Sequence, residues 1–516
     1  MDQDIDLNRS PIIRVNSAHS ENEEQQEQQQ QQQQPTAVEE SADNDDQRTT
    51  MVKFKQNTGQ SSDIEHQISL TTRGKATHAY KIRWLVLAIF CSHSAINSFQ
   101  WIQYSSITNI ITTYYGVSNL LVNLTSLVYM VTYIPFIIHA SLMLERVGLR
   151  YAVCLGAAGT AVGAIIKFQL ASSPTTTAFW GLMVGQTIVA LSQLYIISIP
   201  PLLAAVWFPD HQVSTATGIG VFGNQLGIAL GFIVPPLVVS GSGTSKETLG
   251  HELNQLSLGV TTLSCLIFIL ALAFFKDKPP KPPGSASLHA ETQMLEQHQA
   301  NNQSDADKDT FKSIKELCED RDFQLLTLSY GINVGCFYAV STVLNQMVAK
   351  SWPNPDDLAG TLGLLIVVSG MLGSVMCGQL LDRTHAFKVI IVLIYLLSLV
   401  SMIIFTLVLR LGTGPWPLYI ASATLGFFMT GYLPLGFEFA AEITYPHPAN
   451  TPAGLLNLSA QVFGVVLTYS SSLIVDQESG DLWANIFLSV CLVVGLLFTA
   501  IMRADLKRQK AVSLTV

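Results

Sequence analysis

Apolar runs, each close to 20 residues long and separated by short polar or Gly- and Pro-bearing stretches, recur from about residue 84 to about residue 502. A helix of ~20 apolar residues rises about 30 Å, the thickness of the hydrocarbon core of a bilayer. The pattern predicts twelve membrane-spanning helices, near 84–114, 121–143, 150–171, 178–207, 214–240, 256–275, 323–349, 358–381, 387–409, 416–441, 452–475 and 482–502. Three segments break the pattern. Residues 1–79 form a polar tail with nearly continuous glutamine over 25–34, a composition that cannot bury enough apolar surface to order itself. Residues 276–322 form a hydrophilic linker that opens Lys276-Asp277-Lys278-Pro279-Pro280-Lys281-Pro282-Pro283, with a short surface helix expected near 311–317. Residues 503–516 form a short polar tail. No apolar leader lies near Met1, so no cleavable signal peptide is expected.

The pattern repeats. A shift of 237 positions carries Asn97, Trp101, Tyr104 and Thr108 onto Val334, Tyr338, Ser341 and Asn345. The same shift carries Glu145-Arg146 onto Asp382-Arg383, Trp207-Phe208-Pro209 onto Thr444-Tyr445-Pro446, and Asn224 onto Gln461. One offset without gaps divides the chain into two bundles of one design, 80–275 and 323–502. Internal repeats with a site at their interface mark transporters.

Composition narrows the class. Hydrophobic residues make up 49% and charged residues 13% of the 516, against roughly 25% charged in soluble proteins. The net charge of −9 reflects acid in the tail and linker. No basic patch interleaved with aromatics supports nucleic-acid binding. The seven cysteines lack metal or redox spacing, and no structural disulfide is expected. Lys81, Arg83, Arg146, Arg150, Lys276, Lys278, Lys281, Arg383 and Lys388 mark the same side of the spans. The positive-inside rule therefore predicts that both termini and the linker are cytoplasmic. Twelve spans in two pseudo-symmetric six-helix halves predict an all-α membrane protein of the major facilitator fold, embedded in the lipid bilayer. No feature suggests an enzyme or a bound cofactor.

Several positions stand out from the apolar background. On a continuous first helix Asn97, Trp101, Tyr104 and Thr108 share one uncharged polar and aromatic stripe; it reads as interhelical glue or as the wall of a cavity. The repeat, which places Tyr338 opposite Trp101, favours the wall. Gln193, Asn224 and Gln461 interrupt apolar helices, and a buried amide costs a few kcal/mol unless partnered, which a wet cavity would supply. Glu145, Arg146 and Arg150 on one loop and Asp382 and Arg383 on its counterpart read as gate charges or as solvated loop charges. Glu438 and Glu442 share a face of span ten, as gate or proton-carrying candidates or as ordinary hydrogen-bonded carboxyls. His93 and His139 read mainly as hydrogen-bonded residues. Glycines in spans five (218, 220, 223, 227 and 231) and eleven (454 and 464) suit close, sliding helix contacts. Asn123-Leu124-Thr125 is a formal glycosylation acceptor close to the membrane.

Phe99-Gln100-Trp101-Ile102-Gln103-Tyr104-Ser105, Gly223-Asn224-Gln225-Leu226-Gly227, the stretch 330–342 and the stretch 426–446 resemble the feline leukaemia virus subgroup C receptor-related family of major facilitators. The resemblance covers nearly all twelve spans and leaves out the tail and the linker. It implies facilitative transport of choline and ethanolamine across the plasma membrane, with haem export as the alternative; a transporter-like receptor or scaffold acting through the long tails is a third reading, apart from the resemblance. The resemblance further implies a substrate pocket of Trp101, Tyr338, Gln193, Gln461 and Met130. A quaternary ammonium suits an uncharged aromatic site, because ring faces attract its diffuse charge without a carboxylate. Haem would want an axial ligand and basic groups, which the centre of the bundle lacks. The expected form is a monomeric uniporter, and the scarcity of charge within the spans argues against tight proton coupling.

Overall fold

The computed structural model describes residues 78–197, 199–239, 245–281, 283–284, 314–352, 355–384, 386–412, 414–445, 447, 450–503, 506–507 and 509–510. The glutamine-rich segment and most of the linker lie outside the described residues, as do the side chains of Glu145, Arg146 and Asp382. Among the described residues every regular element is helical, and twelve helices are long and apolar enough to cross a membrane.

We number these α1 to α12. The first half holds α1 (Ile82–Tyr115), α2 (Asn119–Val147), α3 (Leu149–Leu170), α4 (Thr176–Ile197), α5 (Val213–Val238) and α6 (Lys246–Phe274). The second holds α7 (Arg321–Ala349), α8 (Pro355–Thr384), α9 (Phe387–Leu411), α10 (Pro415–Ile443), α11 (Asn450–Val475) and α12 (Gly480–Ile501). Shifted by 237 positions, α5 falls on α11 residue for residue, and α2 falls on α8 within one residue at its start. Packing follows the same symmetry. α1 packs on α5 as α7 packs on α11, and α3 packs on α4 as α9 packs on α10. The halves meet where α2 packs on α11 and α5 packs on α8.

Two spans differ from the hydropathy reading. α6 begins ten residues earlier than predicted: its polar first turns are capped by the Ser245 hydroxyl, which accepts from Thr248 N at 3.3 Å. Span four is helical over Thr176–Ile197 (α4) and over Ile199–Trp207. α1 is broken. Its regular part ends at Ile102, a 3₁₀ turn occupies Ser105–Ile107, and the helix resumes at Thr108–Tyr115. At the join Ile107 has φ −123° and ψ 39°. Residues 314–319, near the expected surface helix, are helical.

The contact between α1 and α5 depends on missing side chains. A Cβ on Gly223 would lie 2.8 Å from the Cys91 backbone, and Cβ atoms on Gly227 and Gly231 would strike Ala95 O and the Ile102 side chain. Glycines in the α5 stripe thus bring two backbones together, as small residues do where lipid supplies no hydrophobic drive for helix association.

Candidate functional site

Trp101 at the broken end of α1 and Tyr338 in the middle of α7 meet across the two halves. Their ring centroids are 5.6 Å apart with planes at 76°, an edge-to-face contact worth ~0.5–1.5 kcal/mol. Trp101 is buried. Its Nε1 donates to Ser126 O on α2 at 3.2 Å, and Ser126 Oγ returns a bond to Trp101 O at 2.9 Å. The indole is therefore fixed at both its ring and its backbone. The Tyr338 hydroxyl lies near the side chain of Gln461 on α11. Met130 on α2 reaches the same place: a Cβ on Gly464 would sit 2.8 Å from Met130 Sδ and 2.9 Å from Tyr338 Cδ2. Trp101, Met130, Tyr338 and Gln461 thus converge around Gly464, which the sequence presented only as a sliding contact. Among the described residues no cluster of three His, Cys, Asp or Glu suited to a metal occurs.

Gln193 sits half-buried on α4. It lies two turns from Gln186, whose Nε2 bonds Gln100 O on α1 at 2.8 Å and Thr125 O on α2 at 3.1 Å. Residues seven apart share a face, so Gln193 lies on the α4 stripe that meets α1 and α2. Asn224 donates to Ser98 Oγ in the α1–α5 contact.

Asn97 and Tyr104 do not join the pocket. Asn97 Nδ2 bonds Thr160 Oγ1 on α3 at 3.2 Å and Val189 O on α4 at 3.1 Å, which makes it glue within its own half. Tyr104 faces α3, where Lys167 Nζ lies 5.6 Å from its ring centroid. Beyond Trp101 the stripe expected of a continuous helix fails because α1 leaves helical geometry before Thr108. Lys167 itself, only 2% exposed, is an intramembrane cation that hydropathy averaging hid inside an apolar run.

Polar ties between the halves cluster where α1 runs into α2 and α7 into α8. Asn123 and Gln346 exchange two side-chain bonds, of 3.2 and 2.7 Å, and Asn123 also donates to Ser472 Oγ at 2.9 Å. Asn345 Nδ2 donates across the halves to Ser106 O at 2.9 Å and, within the second half, to Asp356 Oδ1 at 2.7 Å. Asn119 Nδ2 donates to Asp476 Oδ1 at 2.7 Å. Asn123 is fully buried, so the formal glycosylation acceptor is a closed structural position here.

At the opposite end the expected gate charges serve other contacts. Arg150 Nη2 donates to Leu272 O at 3.1 Å, and Asp277 accepts from Arg150 N at 3.0 Å. Gly148 precedes it with φ +90°, and a Cβ there would lie 2.7 Å from Asp277 Oδ1, so the glycine of this motif is needed for both backbone and space. Arg383 is exposed, and so is Glu438. Glu442 is 4% exposed and its Oε1 accepts from Gln509 N at 2.7 Å. Nearby, Lys507 pairs with Asp320 at 3.2 Å. Partial burial alone would raise the Asp320 carboxyl, but bonds from Phe323 N, Lys507 and Asp322 N hold it below its usual range. In this conformation Arg150 and Glu442 pair within a half or with the C-terminal segment, not across the halves.

Twelve helices in two repeated bundles, with polar and aromatic side chains meeting at the bundle interface, define a secondary transporter. The Major Facilitator Superfamily model matches residues 85–469, and the chain belongs to that superfamily. Within it the chain belongs to the feline leukaemia virus subgroup C receptor-related family. It is 44% identical over 436 residues to the choline/ethanolamine transporter flvcr2a of Danio rerio, covering 84% of this chain and 89% of the relative. It is 42% identical over 429 residues to the human choline/ethanolamine transporter FLVCR2, covering 83% and 78%. An uncharacterized MFS-type transporter of Caenorhabditis elegans is 49% identical over 432 residues, covering 84% and 71%. Among solved structures, a bacterial homologue of the lysosomal transporter Spinster matches with a TM-score of 0.62 at 12% identity, covering 82% of this chain and 98% of that one. The protein is thus a multi-pass membrane transporter, not an enzyme.

Proposed function

We propose that this protein is a uniporter for choline and related amines such as ethanolamine, working by alternating access, with the onium group bound between Trp101 and Tyr338. The observation that carries the reading is the perpendicular aromatic pair at the interface of the halves; the names of the relatives support it. The rings touch in this structure. A bound onium group would replace their contact, worth ~0.5–1.5 kcal/mol, by cation–π contacts of ~0.5–2 kcal/mol to each ring. The small net gain suits a carrier that must release its cargo. Gln461 and Gln193 would hydrogen-bond the hydroxyl of choline or the amine of ethanolamine, and Met130 would pack on the methyl groups. Haem is the weaker alternative: His93, the buried histidine among the described residues, is held by Thr160 at 3.4 Å inside the first half.

The protein works as a monomer in the plasma membrane, with residues 1–79, 276–322 and 503–516 in the cytoplasm around the bundles 80–275 and 323–502. In that orientation the Asn123–Gln346–Ser472 latch closes the outer side. The test of function is uptake of labelled choline, with ethanolamine as competitor, in cells lacking their own transporters. Absence of choline flux at confirmed surface expression refutes the substrate, and haem efflux becomes the next assay.

The latch gives a separate prediction. Asn123→Ala removes three side-chain bonds, each worth ~0.6 kcal/mol between membrane helices. The outward-open population should therefore rise roughly tenfold or somewhat more. A cysteine placed behind the latch by Ser105→Cys should then react faster with an impermeant thiol reagent applied outside. Unchanged labelling means that the latch does not hold the outer side.

A further inference from the structure

We infer that Lys167 and Gln186 form a brace that fixes the break in α1 and so positions Trp101 for substrate. The inference rests on the proposed aromatic site. It begins with an amide whose orientation is chosen. An amide side chain can present either its oxygen or its NH₂ to a neighbour, and the two differ only in which partners they satisfy. Lys167 Nζ can only donate, and it donates to Gln186 Oε1 at 2.8 Å. That leaves the NH₂ of Gln186 for two carbonyls, Gln100 O at 2.8 Å and Thr125 O at 3.1 Å. A flipped amide would set its oxygen against both carbonyls and its NH₂ against an ammonium.

The two carbonyls are the ones that matter for Trp101. A helix that ends leaves the carbonyls of its last turn without backbone donors. α1 ends at Ile102. Ser126 Oγ takes the carbonyl of Trp101, and Gln186 takes that of Gln100. Thr125 stands directly before Ser126, whose own carbonyl holds the indole Nε1. Gln186 thus clasps α1 and α2 one residue before each partner of the Trp101–Ser126 pair.

Glycines make room for the brace. A Cβ on Gly185 would lie 2.9 Å from Lys167 Cγ and 2.7 Å from Gly163 O, and one on Gly163 would lie 2.5 Å from Gly185 O. The lysine stem therefore lies along the α3–α4 crossing, and its ammonium reaches the face of Tyr104.

The repeat supplies a comparison within the molecule. At the offset of 237, Lys167 corresponds to Ile404 and Gln186 to Ala423. The second half lacks the brace, and its first helix, α7, runs unbroken from Arg321 to Ala349. Brace and break occur together in one half and are both missing from the other.

The test uses two variants in the full-length protein. Lys167→Met keeps the stem but gives up the donor that orients the amide. Gln186→Glu keeps a partner for the ammonium but gives up both donors to the carbonyls. Hydrogen exchange of the segment 99–107 should accelerate in both variants, independently of any substrate; wild-type exchange there overturns the brace. Choline uptake at matched surface level should show KM raised roughly tenfold, with maximal rate within about threefold of wild type. A lysine that merely aids folding would lower surface level in Lys167→Met, leave the KM of the surviving molecules unchanged and spare Gln186→Glu; that pattern also overturns the inference. If the wild type moves no choline, the substrate reading fails, and the exchange measurement still decides the brace.

Discussion

Trp101→Ala is expected to lower choline uptake at sub-saturating concentration by roughly 30- to 150-fold, equivalent to about 2–3 kcal/mol, at normal surface expression. Two losses combine. The substrate loses one aromatic face, and Ser126 O loses the indole donor that helps hold α1 against α2. The loss should appear mainly in KM, because the ring contacts the bound cation in the ground state as well as during the rocking step. Trp101→Phe keeps a face and loses the donor, so it should fall well short of the alanine effect. Tyr338→Ala should resemble Trp101→Ala. Tyr338→Phe, which gives up only the hydroxyl beside Gln461, should cost choline little and ethanolamine more, since its primary amine brings N–H donors that want a polar partner. The double variant Trp101→Ala/Tyr338→Ala should be less damaging than the two effects multiplied, because each ring needs the other to enclose the onium group. Wild-type KM in Trp101→Ala would show that these aromatics are packing and that the site lies elsewhere.

How much of this was legible before any coordinates existed depends on what kind of pattern carried it. Twelve spans follow from hydropathy, because a membrane imposes one length on every crossing helix. The pairing of Trp101 with Tyr338 follows from the repeat, because symmetric halves bring matching positions to their shared axis. The break in α1 did not follow: Trp101 to Thr108 contains neither proline nor glycine, and the side chains that stabilise the break, Gln186 and Ser126, lie on other helices. Tyr104 leaves the expected stripe for that reason, whereas Asn97, on the regular part of α1, is taken up by Thr160 and Val189. Lys167 was missed because one cation in a run of apolar residues hardly alters a window average. Asn123 was read for its local sequon, although its burial and its bonds to Gln346 and Ser472 are tertiary facts. Gly464 looked like any other glycine in a sliding helix until its neighbours were known.

Gly464 provides the second large effect. It marks the point where α2, α7 and α11 come together under the aromatic pair. Gly464→Leu should abolish measurable choline uptake, a loss of roughly 100-fold or more, while leaving enough folded protein at the surface to measure. Overpacking costs typically ~1–3 kcal/mol, and here it presses on two unlike neighbours. Met130 is flexible and can swing aside. Tyr338 is a rigid ring already in contact with Trp101, so any retreat narrows the space the onium group needs. Gly464→Ala already sets a Cβ 2.8 Å from Met130 Sδ and 2.9 Å from Tyr338 Cδ2, so Met130 and the ring must both give way, and KM should rise, though less than in the leucine variant. Combining Gly464→Leu with Met130→Ala should restore part of the flux, because the smaller side chain frees volume on the α2 side. Gly454 on the same helix is the internal control. A Cβ there meets nothing within 4 Å, so Gly454→Leu carries the same change in helix propensity without the crowding and should transport normally. Equal loss in Gly454→Leu and Gly464→Leu would mean that α11 tolerates no leucine for general reasons and that Gly464 has no special place beside the substrate.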